Sequence, residues 1–268
     1  MQIDIKAIIK NKNSNLAAKF PQVAYKFIEK IICQQEINEI LSLYGHLKDI
    51  EFITAVLDHL RIERVVEGIS DIDSTKRYIF ASNHPLGGVD GFVLSECISN
   101  HFGDVRVVVN DILMNITPVK DLFTPINKHG RQVSLYAEGL NKVVKSDVPM
   151  IYFPSGLCSR RIEGKVQDPP WHKSFVKKAI EGERDIIPVW VDCLNSNFFY
   201  NFAYLRKRFN IKANLEMMLL PSELFKKKES RIRIVFGKPI SYEDLIKEKD
   251  TEHTTQKIRE ACYRLQTL

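Results

Sequence analysis

His84 and Asp90 belong to the segment Phe80-Ala81-Ser82-Asn83-His84-Pro85-Leu86-Gly87-Gly88-Val89-Asp90-Gly91, where an apolar run ends in a histidine, a glycine pair and a carboxylate. An imidazole, with an ordinary pKa of about 6.5, is the side chain best suited to take a proton from an alcohol near neutral pH. A carboxylate beside it can hold its tautomer and stabilise the imidazolium that forms. The glycine pair opens backbone angles closed to other residues and lets a substrate approach the main chain. The same residues also describe ordinary turn chemistry after a strand, with His84 capping the helix that follows. On this segment alone both readings stand.

A second segment repeats the design with different chemistry. Met150-Ile151-Tyr152-Phe153-Pro154-Ser155-Gly156-Leu157-Cys158-Ser159-Arg160-Arg161 runs from an apolar strand into a Pro/Gly turn and ends in small polar and cationic residues. Ser155, Gly156, Arg160 and Arg161 suit an anion. Arginine forks match phosphate and carboxylate oxygens two at a time, and successive backbone N–H groups of such a turn can cradle a negative charge. An isolated Arg-Arg is commonly a solvated loop tip; beside the histidine turn, the anion pocket is the reading adopted.

The order of these segments resembles the glycerol-phosphate and lysophospholipid acyltransferase superfamily, whose signature is a histidine-aspartate motif, a Phe-Pro-Glu-Gly-Thr-Arg-Ser type motif and a Val-Pro-Val type strand. The third is represented here by Asp185-Ile186-Ile187-Pro188-Val189-Trp190-Val191, and Val235-Phe236-Gly237-Lys238-Pro239-Ile240 looks like the family's last core strand and exit turn. The family's middle motif matches Leu122-Phe123-Thr124-Pro125-Ile126-Asn127-Lys128, with Lys128 where an arginine is usual. The resemblance covers roughly residues 60 to 240. Two departures stand out: five residues separate His84 from Asp90 where the family has four, and Ser155 replaces the usual glutamate. The Asn-His-Pro-Leu-Gly-Gly-Val-Asp-Gly wording is similar to a hemolysin-like bacterial branch, some of whose members acylate lyso amino-acid lipids.

The resemblance implies direct acyl transfer in a ternary complex. His84 would take the proton of an acceptor hydroxyl as it attacks an acyl thioester, and Asp90 would orient His84. Backbone N–H groups at Gly87 and Gly88, or in the turn Pro154-Ser155-Gly156, would receive the oxyanion. Arg160, with Lys128 and Arg161, would hold the acceptor's anionic group. The expected donor is acyl carrier protein or coenzyme A thioester, with no bound cofactor. The expected acceptor is an anionic lysolipid or glycerol phosphate, including lyso amino-acid lipids of the ornithine or glycine type or 1-acylglycerol 3-phosphate. Rivals from other classes are a peripheral lipid-binding protein with a silent motif and a hydrolase of the same fold using water.

Composition agrees with an enzyme of this kind. With 268 residues, 44% of them hydrophobic, the chain can bury a full α/β core. Its formal charge of +6 gathers in Arg206-Lys207-Arg208, Lys226-Lys227-Lys228 and around Arg231 and Arg233; these clusters suit an acidic carrier protein or an anionic membrane surface, and no nucleic-acid partner is expected. Cys33, Cys97, Cys158, Cys193 and Cys262 form no C-x-x-C pair and are odd in number, which argues against a zinc knuckle or a disulfide framework and for a reducing cytoplasm. His101, His129 and His172 lack ligand spacing, so no metal is expected. Cys158 reads as a small filler, not a nucleophile. No G-x-S-x-G elbow, P-loop or G-x-G-x-x-G loop is present, and Asn115-Ile116-Thr117 has no secretory context. The start of the chain lacks a signal-peptide pattern, and no apolar run reaches the ~18 residues of a membrane span. Residues 197–209, aromatic along most of their length and basic at the end, suit either an interfacial helix or a core helix. The expected location is the cytoplasm, peripheral at the inner face of a bacterial membrane.

Two regions must position these residues. Residues 1–60 read as a helical segment, with Leu16, Phe20, Val23, Phe27 and Ile31 near helical spacing and Pro21 at a first turn. Residues 61–268 read as the acyltransferase α/β domain. Strands are expected at 62–66, 77–81, 105–109, 149–153 and 186–191, with helices at 91–100, 131–144 and 172–180. This alternation predicts a mostly parallel central sheet flanked by helices, with chemistry outside the carboxyl ends of the strands, where both His84 and Ser155 fall.

Overall fold

A computed structural model of the chain describes residues 2–12, 21–110, 114, 116–126 and 133–267. Helices α1 (Ile5–Lys12), α2 (Gln22–Ile31), α3 (Gln34–Tyr44) and α4 (Asp49–His59) lead into strands β1 (Glu63–Glu67) and β2 (Tyr78–Ser82). Then come α5 (Val89–Phe102), β3 (Arg106–Asn110), β4 (Phe123–Ile126), α6 (Val133–Lys145) and β5 (Met150–Tyr152). A hairpin of β6 (Arg160–Ile162) and β7 (Lys165–Gln167) precedes α7 (Ser174–Glu181), β8 (Asp185–Asp192), α8 (Asn197–Arg208) and α9 (Leu220–Phe225). Strand β9 (Arg231–Phe236) and helices α10 (Tyr242–Lys247) and α11 (Thr251–Arg264) follow. The strands expected from sequence form within a residue of their expected bounds and the helices within two; residues 131 and 132 of one expected helix lie outside the described residues.

Among the described residues the main sheet has the order β1-β9-β8-β2-β5-β3-β4. Strands β8, β2, β5, β3 and β4 run in one direction. The sheet is not parallel throughout: β9 pairs antiparallel with β8 and parallel with β1, so these two strands oppose the other five. Pro188 sits inside β8 without disrupting it. The β8–β9 ladder begins at Val189–Phe236 and the chain returns only at the Ile186–Ile240 bridge, so the missing N–H falls between the two contacts.

The central strands are covered on both faces. All five residues of β2 are buried, and they alternate between two cores. Phe80, Ile151, Ile187, Val189 and Val191 pack with Phe52, Ile53, Val56 and Leu57 of α4 and Val93, Leu94 and Ile98 of α5. Ile79, Ala81, Met150, Tyr152, Ile186 and Trp190 pack with Leu140 and Val144 of α6, Phe175 and Val176 of α7, and Ile258 and Cys262 of α11. Each large aliphatic side chain moved out of water contributes about 1.5–3 kcal/mol, so the period-2 pattern fixes which side chains face which helices. The first core includes residues of α3 and α4, so these two helices of the N-terminal segment are layered directly on the sheet.

The stripe expected on the second helix is not its buried face. Val23 and Phe27 are 78% and 65% exposed, whereas Tyr25 is buried and Ile31 packs against a small cluster with Cys158, Phe199 and Tyr200. Leu16 and Phe20 lie outside the described residues. Arg184, fully buried, donates to the carbonyls of Val144 (2.8 Å), Val148 (2.8 Å), Val143 (2.8 Å), Tyr78 (3.2 Å) and Ser146. It thereby satisfies the end of α6 and the approach to β5.

Candidate active site

The turn after β2 is tied down at each residue that precedes the histidine ring. Asn83 is buried, and its amide exchanges two hydrogen bonds with the main chain of Val191, Nδ2 to the carbonyl at 3.0 Å and Oδ1 from the N–H at 2.7 Å. The His84 N–H donates to Asp168 Oδ1 at 3.1 Å, and its carbonyl accepts from the Ser159 N–H at 2.7 Å. Asn195 Nδ2 donates to the Pro85 carbonyl at 3.2 Å. The histidine turn and the arginine turn are thus stitched main chain to main chain.

The imidazole lies between a ring and a carboxylate. Phe153 stacks on it with centroids 4.0 Å apart and 26° between planes, and Nδ1 is 2.9 Å from Asp90 Oδ2. Asp90, in the first turn of α5 and fully buried, also accepts from the N–H groups of Leu86 (2.9 Å), Gly87 (3.2 Å) and Gly91 (3.0 Å). Burial is the strongest single influence and pushes this carboxyl up. The His84 charge and hydrogen bond, with the amides of Leu86 and Gly91, outweigh it and hold Asp90 below the usual carboxylate range. A carboxylate only accepts, so Nδ1 carries the proton and Nε2 offers its lone pair. Among the described residues none hydrogen-bonds to Nε2.

Between His84 and Asp90, Gly87 takes a backbone conformation that favours glycine. Its φ of +75° is in the left-handed region, and a Cβ there would come within 2.8 Å of Leu220 Cδ2 and 3.2 Å of Cys158 Cβ. Gly88 has an extended φ of −177° and open space where a Cβ would stand. The expectation that Gly87 and Gly88 both offer amides to an oxyanion needs correcting. The Gly87 N–H is directed at Asp90 Oδ2, while among the described residues no acceptor reaches the Gly88 N–H at the start of α5.

The second turn also differs from an open anion clamp. Ser155 is buried and its hydroxyl donates to the Leu157 carbonyl at 2.7 Å, closing the turn instead of widening a pocket. Gly156 is exposed at φ +66°, its N–H bonded to the Phe153 carbonyl at 2.9 Å. Arg160 and Arg161 lie on β6 and diverge. Arg160 turns inward, donating to the Cys158 carbonyl (2.7 Å) and to the fully buried Glu216 (2.9 Å), with its guanidinium 5.2 Å from the Phe199 ring centroid. Arg206 Nε is 2.6 Å from the other oxygen of Glu216, so two guanidinium groups face one carboxylate. Arg161 turns to α8 and donates to Asn197 (2.9 Å) and Asn201 (2.7 Å). Lys128 lies outside the described residues. Burial pushes the Cys158 thiol up to about 11 although Arg160 pulls the other way, so it is a poor nucleophile at neutral pH.

Sequence reasoning did not find Asn83, Asn195, Glu216 or Asp168. The one local signal is Asp168-Pro169-Pro170-Trp171, a stiff turn bearing an acid, and nothing in its spacing links it to His84. Helix α8 is packed on one side only: Phe199, Tyr200 and Ala203 are buried, while Phe198, Tyr204 and Leu205 are 60%, 53% and 48% exposed and Phe209, just beyond, is 72% exposed. No described helix is long and apolar enough to cross a membrane.

The sequence model of a family described as "Acyltransferase" matches residues 7–267. A lyso-glycine lipid O-acyltransferase of Bacteroides thetaiotaomicron is 36% identical over 264 residues, covering 98% of this chain and 97% of that one. A second protein of that name, from Phocaeicola vulgatus, is 34% identical over 264 residues, covering 98% and 95%. Among solved structures, the 1-acyl-sn-glycerophosphate acyltransferase of Thermotoga maritima superposes with a TM-score of 0.45 at 16% identity over 91% of this chain and 93% of that one.

Proposed function

The chain belongs to the acyltransferase family, and from that premise we propose that it moves a fatty acyl group from a thioester to the hydroxyl of an anionic lysolipid whose headgroup ends in a carboxylate, of the lyso-glycine lipid class. The observation that carries this reading is the His84–Asp90 pair at 2.9 Å in a chain that aligns along 98% of its length with lyso-glycine lipid O-acyltransferases.

The chemistry follows from the free Nε2. It takes the acceptor's hydroxyl proton as that oxygen attacks the thioester carbonyl. Asp90 stabilises the imidazolium without itself being protonated. The Gly88 N–H, at the positive end of α5, faces the developing oxyanion. When the tetrahedral intermediate collapses, the C–S bond breaks, the ester remains, and the imidazolium returns its proton to the departing thiolate. A free thiol has a pKa of about 8.5, so one base suffices and no covalent enzyme intermediate is needed. Acyl carrier protein or coenzyme A would supply the thioester. The acceptor class is supported by the alignment with lyso-glycine lipid O-acyltransferases, since Arg160 and Arg161 are both engaged within the chain. The exposed aromatic face of α8, with Lys207 and Arg208 at its end, suits docking on an anionic bilayer.

The test is a panel of lyso-glycine lipid, lyso-ornithine lipid and lysophosphatidic acid offered with labelled acyl thioester, with diacyl product and free acid both followed. Preference for the glycine-terminated acceptor is expected. Diacyl product from lysophosphatidic acid alone would refute the acceptor class, and free acid without diacyl product would make the protein a hydrolase.

A further inference from the structure

The machinery described so far holds the imidazole of His84 from its ring side. A second buried carboxylate holds the same residue from its backbone. Asp168 is 1% exposed, and its two oxygens collect three donors. Oδ1 accepts from the His84 N–H at 3.1 Å and from the Ser159 hydroxyl at 2.5 Å, and Oδ2 accepts from Trp171 Nε1 at 2.9 Å. Its own N–H donates to the Tyr263 hydroxyl of α11 at 2.8 Å, and the Tyr263 ring packs against Trp190 of β8 and beneath Arg259. One residue therefore connects the histidine turn, the second turn and the C-terminal helix.

We propose that Asp168 is a positioning residue for acyl transfer, fixing the His84 backbone and adding a second negative charge behind the imidazolium that forms. The inference rests on the acyl-transfer reading above. A carboxylate is costly to bury unless its oxygens are satisfied. Here two of its three partners, the His84 and Trp171 N–H groups, can only donate, so the network fits the ionised form. A neutral residue would hold a turn as well. The charge is explained by its neighbour: with Asp90 at Nδ1 and Asp168 at the backbone N–H, the residue that becomes an imidazolium is held by two carboxylates. The titratable groups facing Asp168 are His84 of the first turn, Cys158 of the second, and Arg259, Cys262 and Tyr263 of α11, and His84 is also in contact with Asp90 of α5.

The experiment uses the full chain with Asp168→Asn and Ser159→Ala. The first removes the charge while keeping the size, and the second removes one donor and leaves the His84 bond. Asp168→Asn should lower kcat by about tenfold or more through a misplaced base, with acceptor KM little changed, and should move the acid limb of kcat/KM to lower pH because the imidazolium loses an anion. Ser159→Ala should lower kcat less. Titration of the His84 imidazole by NMR, assigned by its disappearance in His84→Ala, should move to lower pH in Asp168→Asn whether or not acyl transfer is the reaction. A failure of the functional reading would leave that shift intact. An unshifted imidazole titration, or kcat unchanged in both variants, would overturn the proposal; if Asp168→Asn does not fold, an unchanged kcat and pH profile in Ser159→Ala would do so.

Discussion

Asp90 Oδ2 sits 2.9 Å from His84 Nδ1 and accepts the Leu86 and Gly87 N–H groups at the same time. The carboxylate therefore closes the turn that carries the histidine, as well as orienting its ring. Its removal acts on both the base and the turn.

His84→Ala and Asp90→Asn are expected to lower acyl transfer by about 10²–10⁴-fold, the usual contribution of a positioned base. Binding of lysolipid vesicles should be retained. Single-turnover transfer from labelled thioester reads the first quantity and vesicle sedimentation the second; near wild-type turnover in either variant would remove the pair from the mechanism.

Gly87 and Gly88 are expected to separate cleanly. Gly87→Ala places a Cβ at φ +75° against Leu220 and Cys158, and should cost about 1–2 kcal/mol from the left-handed backbone alone, with kcat reduced as the turn shifts. Gly88→Ala has an ordinary extended φ and open space, and should be near neutral in stability. Thermal denaturation and steady-state rates of the two variants check this.

The two buried carboxylates work in opposite directions on stability. Asp90 is held low, so the stability it contributes is present above the unfolded Asp pKa of about 3.9 and is lost as pH falls through its lower folded value. Asp168 is pushed up, chiefly by burial, so the folded chain is favoured at low pH and loses that advantage as pH rises from about 3.9 through the raised value. The Tm of the wild type relative to Asp90→Asn should therefore fall on acidification below about pH 4, and its Tm relative to Asp168→Asn should fall as pH rises above about 4. Denaturation scans from acid to neutral pH would show both slopes or contradict them.

Arg184→Ala should destabilise the fold by about 3 kcal/mol or more, because several buried carbonyls lose their donor together. Urea denaturation measures it. A change under about 1 kcal/mol would mean that water satisfies those carbonyls instead.

Vesicle binding should require anionic lipid and weaken with salt, as the screening length falls from about 10 Å at 0.1 M to about 3 Å at 1 M. Replacing the exposed Phe198 and Phe209 by serine should weaken binding further without loss of stability. Equal binding to neutral and anionic vesicles at all salt concentrations would separate α8 from the membrane.

Much of this protein was legible in its sequence for local reasons. His84 and Asp90 lie within one turn, so glycines and a helix start suffice to bring them together. The apolar strand cores alternate between the two faces with a period that local chemistry sets, so the central strands of the sheet could be read almost to the residue. What spacing could not carry was anything made by distant segments. Nothing local tells that β1 and β9 run against the other strands, because a strand's pattern is the same in either direction. Arg160 looks like a free cation until Glu216, 56 residues on, takes its guanidinium, and Asp168 looks like a turn residue until the fold brings it to a backbone 84 residues earlier. Those contacts are decided by the tertiary structure, because a buried charge needs its partners supplied by whichever elements the cores press together.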